Sequence, residues 1–162
     1  MLKNIIQEYF KKGQEKENEF VSLINKSFIV KKASQEKDFK EHWDIEVNQS
    51  FKIDIKGIKK DWRGGELNEN IHWIEIRGVK DEGWLFGGKA DYIAFETVDY
   101  WILVNRLILI NFISDVCKHK QRTLDPKDAL YKLYTRKGRQ DVLTKVKTID
   151  LMFLSEKIIK KV

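Results

Sequence analysis

The chain has 162 residues, 42% of them apolar and 35% charged, with a formal net charge of +6. That length and apolar fraction suit one folded domain over residues 1–162 and exclude a disordered tract. A single cysteine, Cys117, excludes an internal disulfide and a Cys-based zinc site and fits a reducing cytoplasm.

In chain order, residues 2–26 read as a helix, with Gly13 as a point of bending. At about 100° per residue, Glu17 falls within about 20–40° of Phe10, Val21, Ile24 and Phe28, whereas Glu15 and Glu19 lie roughly 160° away. Strands are expected near 28–32, 43–48 and 50–58, then a loop holding Gly64 and Gly65, then a strand near 71–79. Gly83, Gly87 and Gly88 punctuate the next turns, followed by strands near 90–96 and 100–105. Leu107 to Lys118 reads as a helix. Asp125-Pro126 opens a further helix, with an acid at the cap and proline at the first helical position; Tyr131 to Arg136 fits helix or strand. Val142 to Lys147 alternates as a strand, and Thr148 is expected to cap a last helix ending in Lys157-Ile158-Ile159-Lys160-Lys161. The fold class is α/β, a mixed β-sheet flanked by helices. The longest apolar run, Trp101 to Ile113, is broken by Asn105, Arg106 and Asn111, so no membrane span is expected. No secretory signal is evident at the N-terminus.

The most informative stretch is His42 to Lys56. Trp43, Ile45 and Val47 alternate with polar residues, and so do Phe51, Ile53 and Ile55. With Asn48-Gln49-Ser50 as a three-residue loop, Val47 faces Phe51. Counting back pairs Glu46 with Lys52, Asp44 with Asp54, and His42 with Lys56. Two carboxylates so placed lie roughly 5 Å apart at Cβ and repel by about 3 kcal/mol at an effective dielectric near 20. A hard divalent cation with oxygen ligands would offset this. The plainer alternative is a solvated polar face, where the repulsion falls below about 1 kcal/mol. Glu17 poses the same choice: it either snorkels to water from the edge of the apolar stripe or reaches a metal, since a carboxylate aimed at a core is costly alone.

Helix-borne Glu17, then Asp44, then Asp54-Ile55-Lys56 resembles the active-site order of the PD-(D/E)XK nuclease superfamily. The segment Lys12 to Phe20, where Glu17 follows a Lys-Gly pair, resembles the opening helix of archaeal-type Holliday-junction resolvases. Gly83 to Glu96 is similar to small phage-borne members of the superfamily. The first likeness covers residues 11–60 and rests on a short motif; no proline precedes Asp44, a departure at a position often variable in the family. The resemblance implies a restriction-endonuclease-like core and a metal-dependent endodeoxyribonuclease. It implies Glu17, Asp44, Asp54 and Lys56 as the catalytic set. It further implies Mg²⁺, replaceable by Mn²⁺, on Asp44, Asp54, the Ile55 carbonyl and Glu17 directly or through water. Such a metal polarises the scissile phosphate and lowers the pKa of the attacking water, while Lys56 orients that water or offsets charge. Among lesser candidates, His42 would assist Lys56, and His72 stands where some members carry a polar orienting residue; Glu75 has the weakest case. Branched DNA, such as a Holliday junction, is the substrate the resolvase likeness implies, with a homodimer to cut two strands symmetrically. Action in the cytoplasm follows, or in a host cell for a phage-encoded chain.

Charge distribution agrees with a DNA partner. Lys59, Lys60 and Arg63 follow the acidic site, with Trp62 among them, and are expected to hold phosphates while Trp62 stacks or wedges at distorted DNA. A solvated loop with a half-packed tryptophan explains the same residues. Lys118, Lys120 and Arg122 form a second cluster; Arg136, Lys137 and Arg139 form a third, from which Arg136 and Arg139 are taken as DNA contacts. The competing function is a non-catalytic DNA-binding protein on a nuclease-like fold, which has no reason to pair carboxylates that repel phosphate.

Overall fold

The computed structural model describes residues 2–117, 119 and 121–162, and the backbone alone for 2–6 and 8–10. Helix α1 (Leu2–Ile24) is followed by β1 (Val30–Lys32), α2 (Gln35–Glu41), and the hairpin β2 (Ile45–Val47) and β3 (Phe51–Lys56). Then come β4 (Ile71–Arg77), α3 (Gly83–Gly87), β5 (Tyr92–Glu96), β6 (Tyr100–Asn105) and α4 (Arg106–Val116). The remainder is β7 (Arg122–Thr123), a 3-10 turn (Pro126–Asp128), β8 (Leu133–Tyr134), β9 (Val142–Lys147), α5 (Thr148–Leu154) and β10 (Lys157–Lys160).

Six strands form one mixed sheet in the order β1-β2-β3-β5-β6-β10, where β3 and β5 run parallel. Four more form a second sheet, β4-β9-β8-β7. Strand alternation then sorts the side chains. Ile53 and Ile55 point to α1 and pack with Phe20, Ile24, Ala94 and Trp101; Phe20 meets Trp101 edge-on at 5.0 Å. On the other face, Ile93, Phe95, Ile102 and Val104 pack against Ile74 and Val146 of the second sheet, with Trp84, Leu85, Leu109 and Ile113 from α3 and α4. Lys52, Asp54 and Lys56 therefore sit on the face away from α1.

Local chemistry accounts for the shorter elements. Ser34 caps α2 by accepting from Lys37 N–H, and Asn105 caps α4 by accepting from Leu107 and Ile108 N–H. Arg106 is then drawn inward, donating to Ala90 and Leu85 carbonyls at 2.6 and 2.8 Å. Gly83 takes φ +72°, and a Cβ there would meet the Glu75 carbonyl of β4 at 3.0 Å, so glycine lets α3 lie directly on that strand.

Several expectations are corrected. In place of one sheet there are two, because residues 71–77 leave the first sheet to pair antiparallel with 142–147. The last helix stops at Leu154, where Ser155 turns extended and its hydroxyl donates to the Met152 carbonyl. Lys157–Lys160 then pair with β6 as an edge strand, because β-branched Ile158 and Ile159 suit a half-covered edge. Thr148 does not cap that helix; its hydroxyl donates to the Glu69 carbonyl, and Lys147 holds the cap position. Asp125 caps as expected, accepting from Lys127 N–H, yet opens only a 3-10 turn. Helix α1, by contrast, spans Gly13 as one element, as expected of the segment.

Candidate active site

The hairpin has the register that alternation predicts: Val47 opposite Phe51, Glu46 opposite Lys52, Ile45 opposite Ile53. Asn48 and Gln49 both adopt positive φ, 52° and 53°, to close the loop. Asp44 follows next to Ile45, its N–H donating to the Ile53 carbonyl at 2.9 Å. Its Oδ2 accepts from Ile55 N–H at 2.5 Å, so the side chain reaches across to the partner strand. In an extended strand a residue's N–H and C=O point to one side, which turns the Ile55 carbonyl the same way. Pairing ends there. His42 caps α2 in the left-handed conformation and lies 3.8 Å from Asp81 rather than opposite Lys56. The expected assistance of His42 to Lys56 is corrected accordingly.

Asp54 is 3% exposed. The Lys56 ammonium stands 2.7 Å from its Oδ2, so this buried oxygen is ion-paired with the lysine. Lys56 also lies over the Trp84 ring at 4.8 Å, a cation–π contact supplied by α3. Burial pulls the Lys56 ammonium down, yet Asp54 and Asp44 more than offset this and raise its pKa above the ordinary lysine value. Asp44 is pushed up to about 8, by burial first and by the Asp54 charge second, with Lys56 and Ile55 N–H opposing.

Glu17 is half-buried while Glu15 and Glu19 are exposed, as the helix phase requires. Its carboxyl is raised by burial first, against Lys32, with Asp38 and Asp54 adding to the rise. Asp38 on α2 is likewise raised, by desolvation and then by Asp54. Glu75 adds to the field at Lys56. His72 belongs to the core: it is 3% exposed, packs on Phe95 at 5.0 Å, and burial lowers its pKa to about 4.

The Asp44 and Asp54 donors are all oxygen, Asp54 is buried with one lysine beside it, and the two carboxyls crowd one another. A hard divalent ion fits that pair. Among the described residues, no three His, Cys, Asp or Glu side chains converge as a ready-made metal cage; the tie of Glu17 to the pair is the charge of Asp54, which adds to the rise of its pKa.

The basic residues divide. Lys59, Lys60 and Arg63 are exposed on the segment leaving β3. That segment is well anchored: buried Lys145 binds Asp61 at 2.5 Å, and Trp73 Nε1 donates to the Lys60 carbonyl at 3.0 Å. Lys59 has its pKa lowered by desolvation and then by Lys56. Trp62 covers Gly65, and Lys127 lies 4.7 Å from the ring, which gives the half-packed arrangement. Arg136 is held by buried Asp141 in an ion pair, whereas Arg139 is exposed in the turn beyond it. Lys118 and Lys120 lie outside the described residues.

Two groups escaped sequence reading. Asp38 sits on a helix with no apolar stripe, signalled only by Ser34 ahead of Glu36 and Asp38. Glu96 closes an apolar strand and is 1% exposed. Compared with protein-family models, curated proteins and solved structures, the chain matches none. Among the described residues, no helix is long and apolar enough to cross a membrane.

Proposed function

We propose that the protein is a metal-dependent endonuclease that hydrolyses DNA phosphodiester bonds at the β2–β3 hairpin. The observation that carries this reading is buried Asp54, ion-paired with Lys56 at 2.7 Å and close enough to Asp44 for its charge to raise that carboxyl. A solvated polar face, the plainer alternative, would leave these groups in water. Asp44 and Asp54 would hold the ion, with the Ile55 carbonyl turned towards it; Glu17, on the helix across the sheet but near enough for the Asp54 charge to act on it, would join only through water. A divalent ion there supplies Lewis-acid polarisation of a phosphate oxygen and a water of lowered pKa. Lys56 remains protonated at neutral pH and so serves as a fixed cation beside the phosphate, not as a base. Trp84 beneath it limits its movement. Lys59, Lys60 and Arg63 would hold phosphates on either side of the scissile bond.

Branched DNA and a homodimer are the finer form of the proposal, resting on the resemblance of Lys12 to Phe20. The test is incubation of plasmid and four-way-junction DNA with native protein and Asp54→Asn, with Mg²⁺ or EDTA. Mg²⁺-dependent cleavage that Asp54→Asn lacks supports the proposal. Binding without cleavage by the native protein under any metal would favour the non-catalytic reading.

A further inference from the structure

Glu96, the last residue of β5, is buried beneath α1, as alternation from Ala94 requires. Its Oε1 lies 2.6 Å from Lys16 Nζ and 2.7 Å from Lys161 Nζ. Its Oε2 accepts the Ile58 N–H at 3.0 Å. Glu19 closes the outer side, 3.2 Å from Lys16 and 3.1 Å from Lys161. Gly57 makes room: a Cβ there would stand 3.2 Å from Glu96 Oε2. One carboxylate thus ties together α1, the exit of β3 and the segment after β10.

The attachment points flank the candidate site. Lys16 precedes Glu17 on α1, and Ile58 lies two residues beyond Lys56, whose register partner on β5 is Phe95, the neighbour of Glu96. A buried ion cluster is weak support for stability, since apolar residues of similar volume serve as well. What directional contacts add is a fixed placement of one element against another. We propose that Glu96 is a positioning residue, which sets the helix carrying Glu17 against the strand end carrying Lys56. This rests on the nuclease reading above.

The test compares Glu96→Gln, Lys16→Met and the double variant. Single-turnover cleavage at saturating enzyme should fall about 10–100-fold in each single variant, the scale of a misplacement near 1 Å. DNA affinity in Ca²⁺ should stay within about threefold of native, because the phosphate contacts are untouched. The double variant should be no slower than the slower single, since both substitutions break one linkage. Without DNA, amide exchange should speed up together in residues 14–19 and 56–60 of Glu96→Gln. Native cleavage rates in folded Glu96→Gln, or losses that follow only the folded fraction, would overturn the proposal while leaving the nuclease reading intact. Lys16→Met, at a half-exposed side chain, carries the same test where Glu96→Gln does not fold. A native protein that cleaves no DNA would overturn the nuclease reading and this proposal with it.

Discussion

Asp44→Asn should stabilise the metal-free protein, and increasingly so as pH rises. The amide retains an oxygen to accept the Ile55 N–H, so the substitution mainly removes a charge. The native carboxyl titrates at about 8, against 3.8 for an ordinary aspartate. Between those values the folded chain keeps a proton that the unfolded chain has lost, so stability declines with rising pH and the decline is complete above about pH 8. At about 1.4 kcal/mol per pKa unit, the ceiling is of the order of 5 kcal/mol. Water entry and relaxation around a partly exposed group bring the expected gain to about 2–4 kcal/mol at pH 9. The gain should shrink towards zero near pH 4. The assay is urea unfolding in EDTA at several pH values from 4.5 to 9, for both proteins. Adding Mg²⁺ at pH 8 should raise the native midpoint and move the variant far less, because an ion bound only by the folded state stabilises it. A difference that stays flat with pH, or an Asp44→Asn variant less stable than native at pH 9, would refute a crowded carboxylate at this position.

Glu17→Gln should lower cleavage strongly, whereas Glu15→Gln should not; equal losses in single-turnover assays would contradict the helix phase. Lys56→Ala should bind DNA nearly as native but lose turnover at saturating enzyme, and weak binding with normal turnover would move Lys56 to the phosphate clamps. Alanine at Lys59, Lys60, Arg63 or Arg139 should reduce the slope of log affinity against log salt by about one unit per contact, with cleavage of bound DNA little changed. Arg136→Ala should differ from Arg139→Ala in costing about 2–3 kcal/mol of stability by urea unfolding, because it strands the buried Asp141; an Arg136 variant of native stability would free that side chain for DNA.

The hairpin was legible because period-two alternation on both strands and a short polar loop leave one register that buries Ile45, Val47, Ile53 and Ile55 together. Glu17 was legible because helix phase depends only on spacing. The register could not be extended to His42, since a left-handed residue at the end of α2 turns the chain out of the strand. Helix α2 was hidden because Gln35–Glu41 buries no residue and so shows no stripe. The second sheet was hidden for another reason: membership of β4 depends on pairing with β9, a contact between distant segments that leaves no local pattern. Ile158 and Ile159 fit a helix end as well as an edge strand, and pairing with Trp101 and Ile102 decides between them. Glu96 looked like an ordinary polar end to an apolar strand, because its lysines come from opposite ends of the sequence.

The link between Lys16, Glu96 and Lys161 also bears on how the chain acquires its shape during synthesis. Helix α1 and the hairpin leave the ribosome early, and β5 follows with a carboxylate that one lysine alone would have to neutralise. Lys161 and β10 before it follow all the other strands of both sheets in the chain. Contacts between such remote segments form slowly, because a long loop must close before they repay its entropy. The nascent chain would therefore hold β6 as an uncovered edge, and Glu96 without one of its two lysines, until β10 and Lys161 dock.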